Sequence, residues 1–187
     1  MERSDTFQLI SLCRAGDLDA IESLVRRHQP LIYRLAVSIL DDPAEADEAT
    51  QGVFVAAINR LDSYRGEAAL TTWLYAIALN TCRGRLRKRR VRERLMQTVH
   101  ALFRMSGEAE AHPEQVVVQR EADAALWQAI QALDDPLREV VILHYYHELR
   151  LDDIARVVGV SERSVRNRLH AAHERLRIQL GERSHVP

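Results

Sequence analysis

Four features of one stretch suit the capture of a nucleic-acid strand. From Arg60 to Arg90 the chain carries Tyr64 in a turn, Trp73 on a helix, Asn80 farther along it, and a dense basic tail. Aromatic faces stack on unpaired bases, worth roughly 1–3 kcal/mol per base, while Arg and Lys neutralise phosphates. Taken singly, Trp73 reads as a core residue; only the whole constellation reverses that reading. Residues 83–94 hold Arg83, Arg85, Arg87, Lys88, Arg89, Arg90, Arg92 and Arg94 against Glu93 alone.

A second stretch suits duplex readout. Ala155, then Gly159, then Val165 have the spacing of a helix-turn-helix, in which the small Ala lets two helices approach closely. In the following helix Val165, Leu169, Ala172 and Leu176 share one stripe. Arg163, Arg166, Asn167 and His170 fall opposite it. Arg and Asn are the types that read guanine and adenine edges in the major groove. A helical hairpin with a solvated basic face is the bland alternative.

The elements that position these residues are helical. The chain has 187 residues, 47% hydrophobic, with few Gly and Pro, which favours helix over sheet. Thr6 to Leu40 reads as two helices broken at Ala15-Gly16-Asp17, with Pro30 as a kink or a new start. Asp41-Asp42-Pro43 opens a helix to about Arg60, with Asp47, Glu48 and Gln51 on its polar side, a solubilising face or a docking surface. The helix from Leu70 turns Leu74, Ile77 and Thr81 inward and leaves Trp73, Asn80 and Arg83 on a ridge toward solvent. The pattern fades from Val91 to His112, so a linker is expected at 95–113, between domains 1–94 and 114–187. Beyond it, Glu114 to Leu133 resumes helical spacing. The helix opened at Asp134-Asp135-Pro136 is expected to bury Val140, Val141, Leu143 and one of Tyr145 or Tyr146.

The net charge of −1 points to no partner, but its distribution does. Asp41, Asp42, Glu45, Asp47 and Glu48 gather in one short acidic segment, apart from the basic tail, which suggests a protein-facing surface and a separate anion-facing one. Cys13 and Cys82 match no metal spacing, imply no disulfide framework and read as buried bystanders in a reducing, cytoplasmic setting. No apolar run approaches the roughly 18 residues of a membrane span, so no membrane insertion is expected. His144 and His147 lack a third ligand, so no metal is expected. Neither a nucleophile–base pair nor a phosphate-cradling Gly loop is present, so no catalytic residue and no cofactor are expected. The rival to a strand-capturing protein is an autonomous duplex-binding regulator that dimerises through its amino-terminal helices, which would leave Tyr64 to Asn80 idle.

Together these stretches resemble the extracytoplasmic-function (ECF) group of bacterial RNA polymerase sigma factors. The likeness rests on Asp47-Glu48-Ala49-Thr50-Gln51 before Val53-Phe54, on Leu61 to Glu67, and on Thr72 to Asn80. In the carboxy-terminal part it rests on Leu137-Arg138, Val140-Val141, Asp152-Asp153-Ile154-Ala155 and Ser164 to Ala172. The resemblance implies an all-α fold of two small helical domains joined by a flexible linker, the second containing the helix-turn-helix. It implies no enzyme activity. The implied partners are the RNA polymerase core (β′ clamp and β subunits), promoter DNA and an anti-sigma factor.

By the same resemblance, Asp47, Glu48 and Gln51 dock the clamp. Ser63, Tyr64 and Arg65, with Trp73, Asn80 and Arg83, meet the −10 element, the Ser63 to Glu67 loop holding a flipped base. Arg163, Ser164, Arg166, Asn167, Arg168 and His170 meet the −35 element, and Arg175 lies near phosphates. The chain departs from the group at Gly52, where an acid is usual, at Tyr64, where Phe is common, at Leu70, where an aromatic is frequent, and at Ala171, often basic.

Overall fold

The computed structural model describes residues 2–104 and 121–183. Among the described residues every regular element is helical. The first unit comprises α1 (Glu2–Arg14), α2 (Leu18–Leu40), α3 (Pro43–Ile58), a 3₁₀ turn (Leu61–Ser63) and α4 (Leu70–Arg104). The second comprises α5 (Glu121–Gln131), α6 (Asp135–Val141), a π-turn (Ile142–Tyr146), α7 (Leu151–Val158) and α8 (Glu162–Arg183).

Local chemistry sets the helix ends. Gly16 adopts a left-handed φ of 82° and ends α1, and the Asp17 carboxylate then accepts the Ala20 N–H at 3.0 Å to open α2. Pro30 neither ends nor divides α2, which runs unbroken to Leu40. Asp41 closes it in the left-handed region at φ 54°, and Asp42 caps α3 through the Glu45 N–H at 3.0 Å, with Pro43 in the first turn.

Packing of α2, α3 and α4 buries Leu24, Ile32, Leu35, Val53, Leu74 and Leu79. In the second unit Val140, Val141, Ile142, Leu143, Ile154, Val165 and Ala172 are buried. The two sets merge into one continuous apolar core, with α7 lying against α4.

Two expectations are corrected. The helix of α4 does not fade at Val91 but continues to Arg104, because the Arg, Leu, Met and Gln of that segment favour helix without an apolar stripe. The expected linker therefore begins inside α4, and its remainder, with the start of the second domain up to residue 120, lies outside the described residues. Tyr145 and Tyr146 are both exposed, because the wide π-turn shifts the register and ends the buried run at Leu143.

Gly52 lies exposed within α3, and a Cβ there would meet nothing within 4 Å. Gly52→Ala is therefore expected to raise unfolding stability by ~0.5–1 kcal/mol, read as a higher urea midpoint at unchanged slope.

Candidate nucleic-acid interface

The turn and loop from Leu61 to Ala69 are held from three sides. The Tyr64 ring is buried, its hydroxyl donates to the Ala68 carbonyl at 3.0 Å, and it packs against Trp73 with ring centroids 5.4 Å apart. Ser63 donates its hydroxyl to the Arg60 carbonyl at 2.7 Å. Gly66 sits at φ 74° directly over the Phe7 ring, where a Cβ would fall 2.4 Å from Phe7 Cζ. The left-handed φ favours Gly there, and any side chain would also have to displace the Phe7 ring. An open cavity of ≈ 280 Å³ is lined by Ser63, Tyr64, Arg65, Gly66, Glu67, Ala68, Trp73 and, from the second unit, Arg156. Its size is near the lower end for small-ligand pockets, about 300 Å³.

Along α4 the expected ridge is only partly formed. Leu70, Leu74 and Ile77 are buried as expected, Trp73 is half-buried at the cavity, and Asn80 is exposed. Arg83 does not face solvent. Its guanidinium donates to both carboxylate oxygens of Glu139, at 2.8 and 2.6 Å, and touches the Asn80 amide oxygen at 3.4 Å. The Glu139 side chain is only 5% exposed, so the pair is largely removed from water, and the hydrogen bond to Glu139 holds the Arg83 pKa up. Spacing along one helix carried no sign of this, because the partner lies 56 residues away.

More polar links join the two units. Thr72 donates to Asp153 at 3.1 Å, and Arg90 donates to both oxygens of Asp135 at 2.7 Å. The Arg90 hydrogen bonds, more than any other influence, hold the Asp135 carboxyl below its usual range. Trp127 donates to Asp41 at 3.1 Å.

His147 sits between Tyr75, at 3.2 Å from Nδ1, and Ser38, at 3.3 Å from Nε2. Burial, with Arg34 nearby, pushes its pKa from 6.5 down to about 4. Glu148 and Arg34 line the same cleft. The packed state thus holds His147 neutral, whereas an opened or unfolded state protonates it below pH 6.5. Its contribution is complete above pH 6.5 and is lost as pH falls toward 4. A denaturation series from pH 7.5 to 5 is expected to show a loss on the order of 2 kcal/mol that His147→Asn flattens. His147 is thus a packing residue. Among the described residues no group of three or more potential metal ligands occurs.

The acidic face of α3 is exposed at Asp47, Glu48 and Gln51. Gln51 donates to Asp47 at 3.2 Å, and Glu48 accepts from Arg85 at 3.0 Å. Arg85, Lys88, Arg89 and Arg92 line a basic cleft beside it with Glu45. Both thiols are buried, and burial raises the Cys82 pKa to about 12 and that of Cys13 in the same direction, so neither is a ready thiolate.

The helix-turn-helix forms as its spacing predicts. Gly159 ends α7 at φ 75°, and Ser161 caps α8 by accepting the Ser164 N–H at 3.2 Å. Val165, Leu169 and Ala172 are buried, while Arg163, Arg166, Asn167 and His170 are exposed; Ser164 and Arg168 are half-buried. Arg166 is paired with Glu162 on the preceding turn, and Arg175 with Asp134.

Residues 24–92 match the family model for Sigma-70 region 2, and residues 123–176 match that for Sigma-70 region 4, together more than half of the chain. RNA polymerase sigma-H factor of Pseudomonas aeruginosa is 33% identical over 172 residues, covering 89% of each chain. ECF RNA polymerase sigma factor SigW of Bacillus subtilis is 32% identical over 176 residues, covering 91% of this chain and 94% of its own. The chain belongs to the ECF sigma-factor family. As an ECF sigma factor it directs promoter-specific transcription initiation and is not an enzyme. The fold agrees with the solved structure of the sigma factor RpoE in complex with the anti-sigma factor NepR from Bartonella quintana. There the TM-score is 0.63 at 23% identity, covering 86% of this sigma factor and 96% of that chain.

Sequence reasoning missed several residues of this sigma factor that shape the interface. Arg14 and Phe7, on α1, hold the Leu61–Gly66 loop from below. Glu139, Asp135 and Asp153 meet α4 from the second unit. None carries a local signal, since each acts across a long chain separation; only the place of Glu139, an acid directly before the apolar run Val140 to Leu143, could have hinted at a partner.

Proposed function

We propose that this sigma factor binds core polymerase through Asp47, Glu48 and Gln51 of its first domain (residues 1–94), against the β′ clamp. The second domain (residues 114–187) engages the β subunit and reads the −35 duplex with Arg163, Ser164, Arg166, Asn167, Arg168 and His170. The loop of Ser63, Tyr64 and Arg65, with Trp73, receives a base flipped from the −10 element, and Asn80 and Arg83 hold the strand beyond it. Residues 95–113 connect the two domains. The protein works in the cytoplasm, where the polymerase is, and an anti-sigma factor restrains it.

The observation that carries this reading is the cavity of ≈ 280 Å³ walled by Tyr64 and Trp73, with the exposed Asn80 seven residues farther along α4, in a chain of this family. Base flipping costs a few kcal/mol, and a pocket with an aromatic wall offsets it. Duplex readout supplies register, with about 1–3 kcal/mol lost per wrong base pair. Tethering on the polymerase raises the effective concentration of each domain for its element.

The two contacts separate experimentally. Asn80→Ala is expected to slow open-complex formation several-fold while leaving −35 duplex binding intact. Arg166→Ala is expected to weaken −35 binding by ~5- to 100-fold. Wild-type opening rates in the Asn80 variant would remove it from the −10 contact.

A further inference from the structure

We propose that Arg14 is a positioning residue for the −10 pocket, with Phe7 as its support. The inference rests on the pocket reading above. The Arg14 guanidinium reaches from the last turn of α1 to the far side of the loop. It donates to the Leu61 carbonyl at 2.8 and 3.2 Å and to the Tyr64 carbonyl at 2.7 Å, with Asp62 at 3.7 Å. One planar fork thus spans both ends of the 3₁₀ turn, and the second carbonyl belongs to the residue whose ring walls the cavity. Phe7 lies against Gly66 at the other end of the same loop. Two contacts from one helix therefore fix the loop at its entry and at its bend. A shift of the Tyr64 backbone moves its ring relative to Trp73, and with it the shape offered to a base.

Lys cannot reproduce this clamp, because an ammonium is a point donor and lacks the planar fork. The test uses polymerase reconstituted with each full-length variant. The probes are a single-stranded oligonucleotide carrying the −10 sequence of a protein-dependent promoter, the same oligonucleotide with the flipped base changed, and a −35 duplex. Arg14→Gln is expected to lose about tenfold in strand affinity and most of its preference at the flipped base, with Arg14→Lys between it and wild type. Duplex binding stays within twofold of wild type, which excludes misfolding. Trp73→Ala serves as the pocket control. If it loses strand binding while Arg14→Gln keeps wild-type affinity and preference, the clamp is wrong. If neither variant changes either quantity, the pocket reading fails and takes the clamp with it.

Discussion

Arg83→Ala is expected to be strongly destabilising. It strands the Glu139 carboxylate, 5% exposed, without its bidentate partner. Breaking a fully buried ion pair costs about 3–5 kcal/mol, and the 31% exposure of Arg83 lowers the expectation here to about 2–4 kcal/mol. The loss is capped by the free energy of parting the two units, because parting returns Glu139 to water. Arg83→Ala combined with Glu139→Leu is expected to recover most of the loss, since an apolar side chain of similar size leaves no unpaired charge. A double-mutant cycle in urea measures this; a coupling near zero would show that the pair contributes nothing beyond packing.

Trp73→Ala carries the largest expected effect on function. Removing the indole takes away one wall of the cavity and the partner of the Tyr64 ring. Stacking on a base is worth about 1–3 kcal/mol, so open-complex formation is expected to fall by ~5- to 150-fold. Duplex binding by α8 is expected to be unchanged, because Trp73 belongs to α4 while Arg163, Arg166, Asn167 and His170 stand on the exposed face of α8. Permanganate reactivity of unpaired thymines near −10 reads the opening, and a gel shift on −35 duplex reads the other half. Parallel loss of both would show general disruption and not a pocket defect.

What local chemistry controls was legible in the chain. Asp42 with Pro43, Asp17 after Gly16, and Gly159 with Ser161 mark helix ends by caps and left-handed angles, and each forms as expected. The buried stripe of α8 and the inward side of α4 follow from period alone. What escaped was set by contacts between distant segments. Arg83 looked solvent-facing because its place on the helical wheel lies away from the buried stripe of α4, yet Glu139 lies opposite. His147 carried no sign in the sequence of its packing role, in which Tyr75 and Ser38 meet both ring nitrogens. The π-turn inserts a register shift that no spacing of Tyr145 and Tyr146 announces. Arg14 closes a helix and looks like an ordinary basic residue in a last turn, although its guanidinium reaches two loop carbonyls.

The arrangement also accounts for the separation of charge. The acids of α3 stand on an exposed face, and the bases of α4 lie partly against the acids of the second unit. Glu48–Arg85 and Glu45–Arg89 link these faces within the first unit. Such half-exposed pairs contribute little to stability, about 0–1 kcal/mol each, so exchange of a carboxylate for a phosphate at these arginines is inexpensive.

The most direct measurement is run-off transcription with bacterial core polymerase, with and without this protein, on a pool of genomic promoter fragments. The expected result is a set of transcripts that require the protein and whose templates share two elements, one read as duplex and one opened. Absence of any protein-dependent transcript, together with no binding to core polymerase, would contradict the assignment of these surfaces to clamp, −10 and −35.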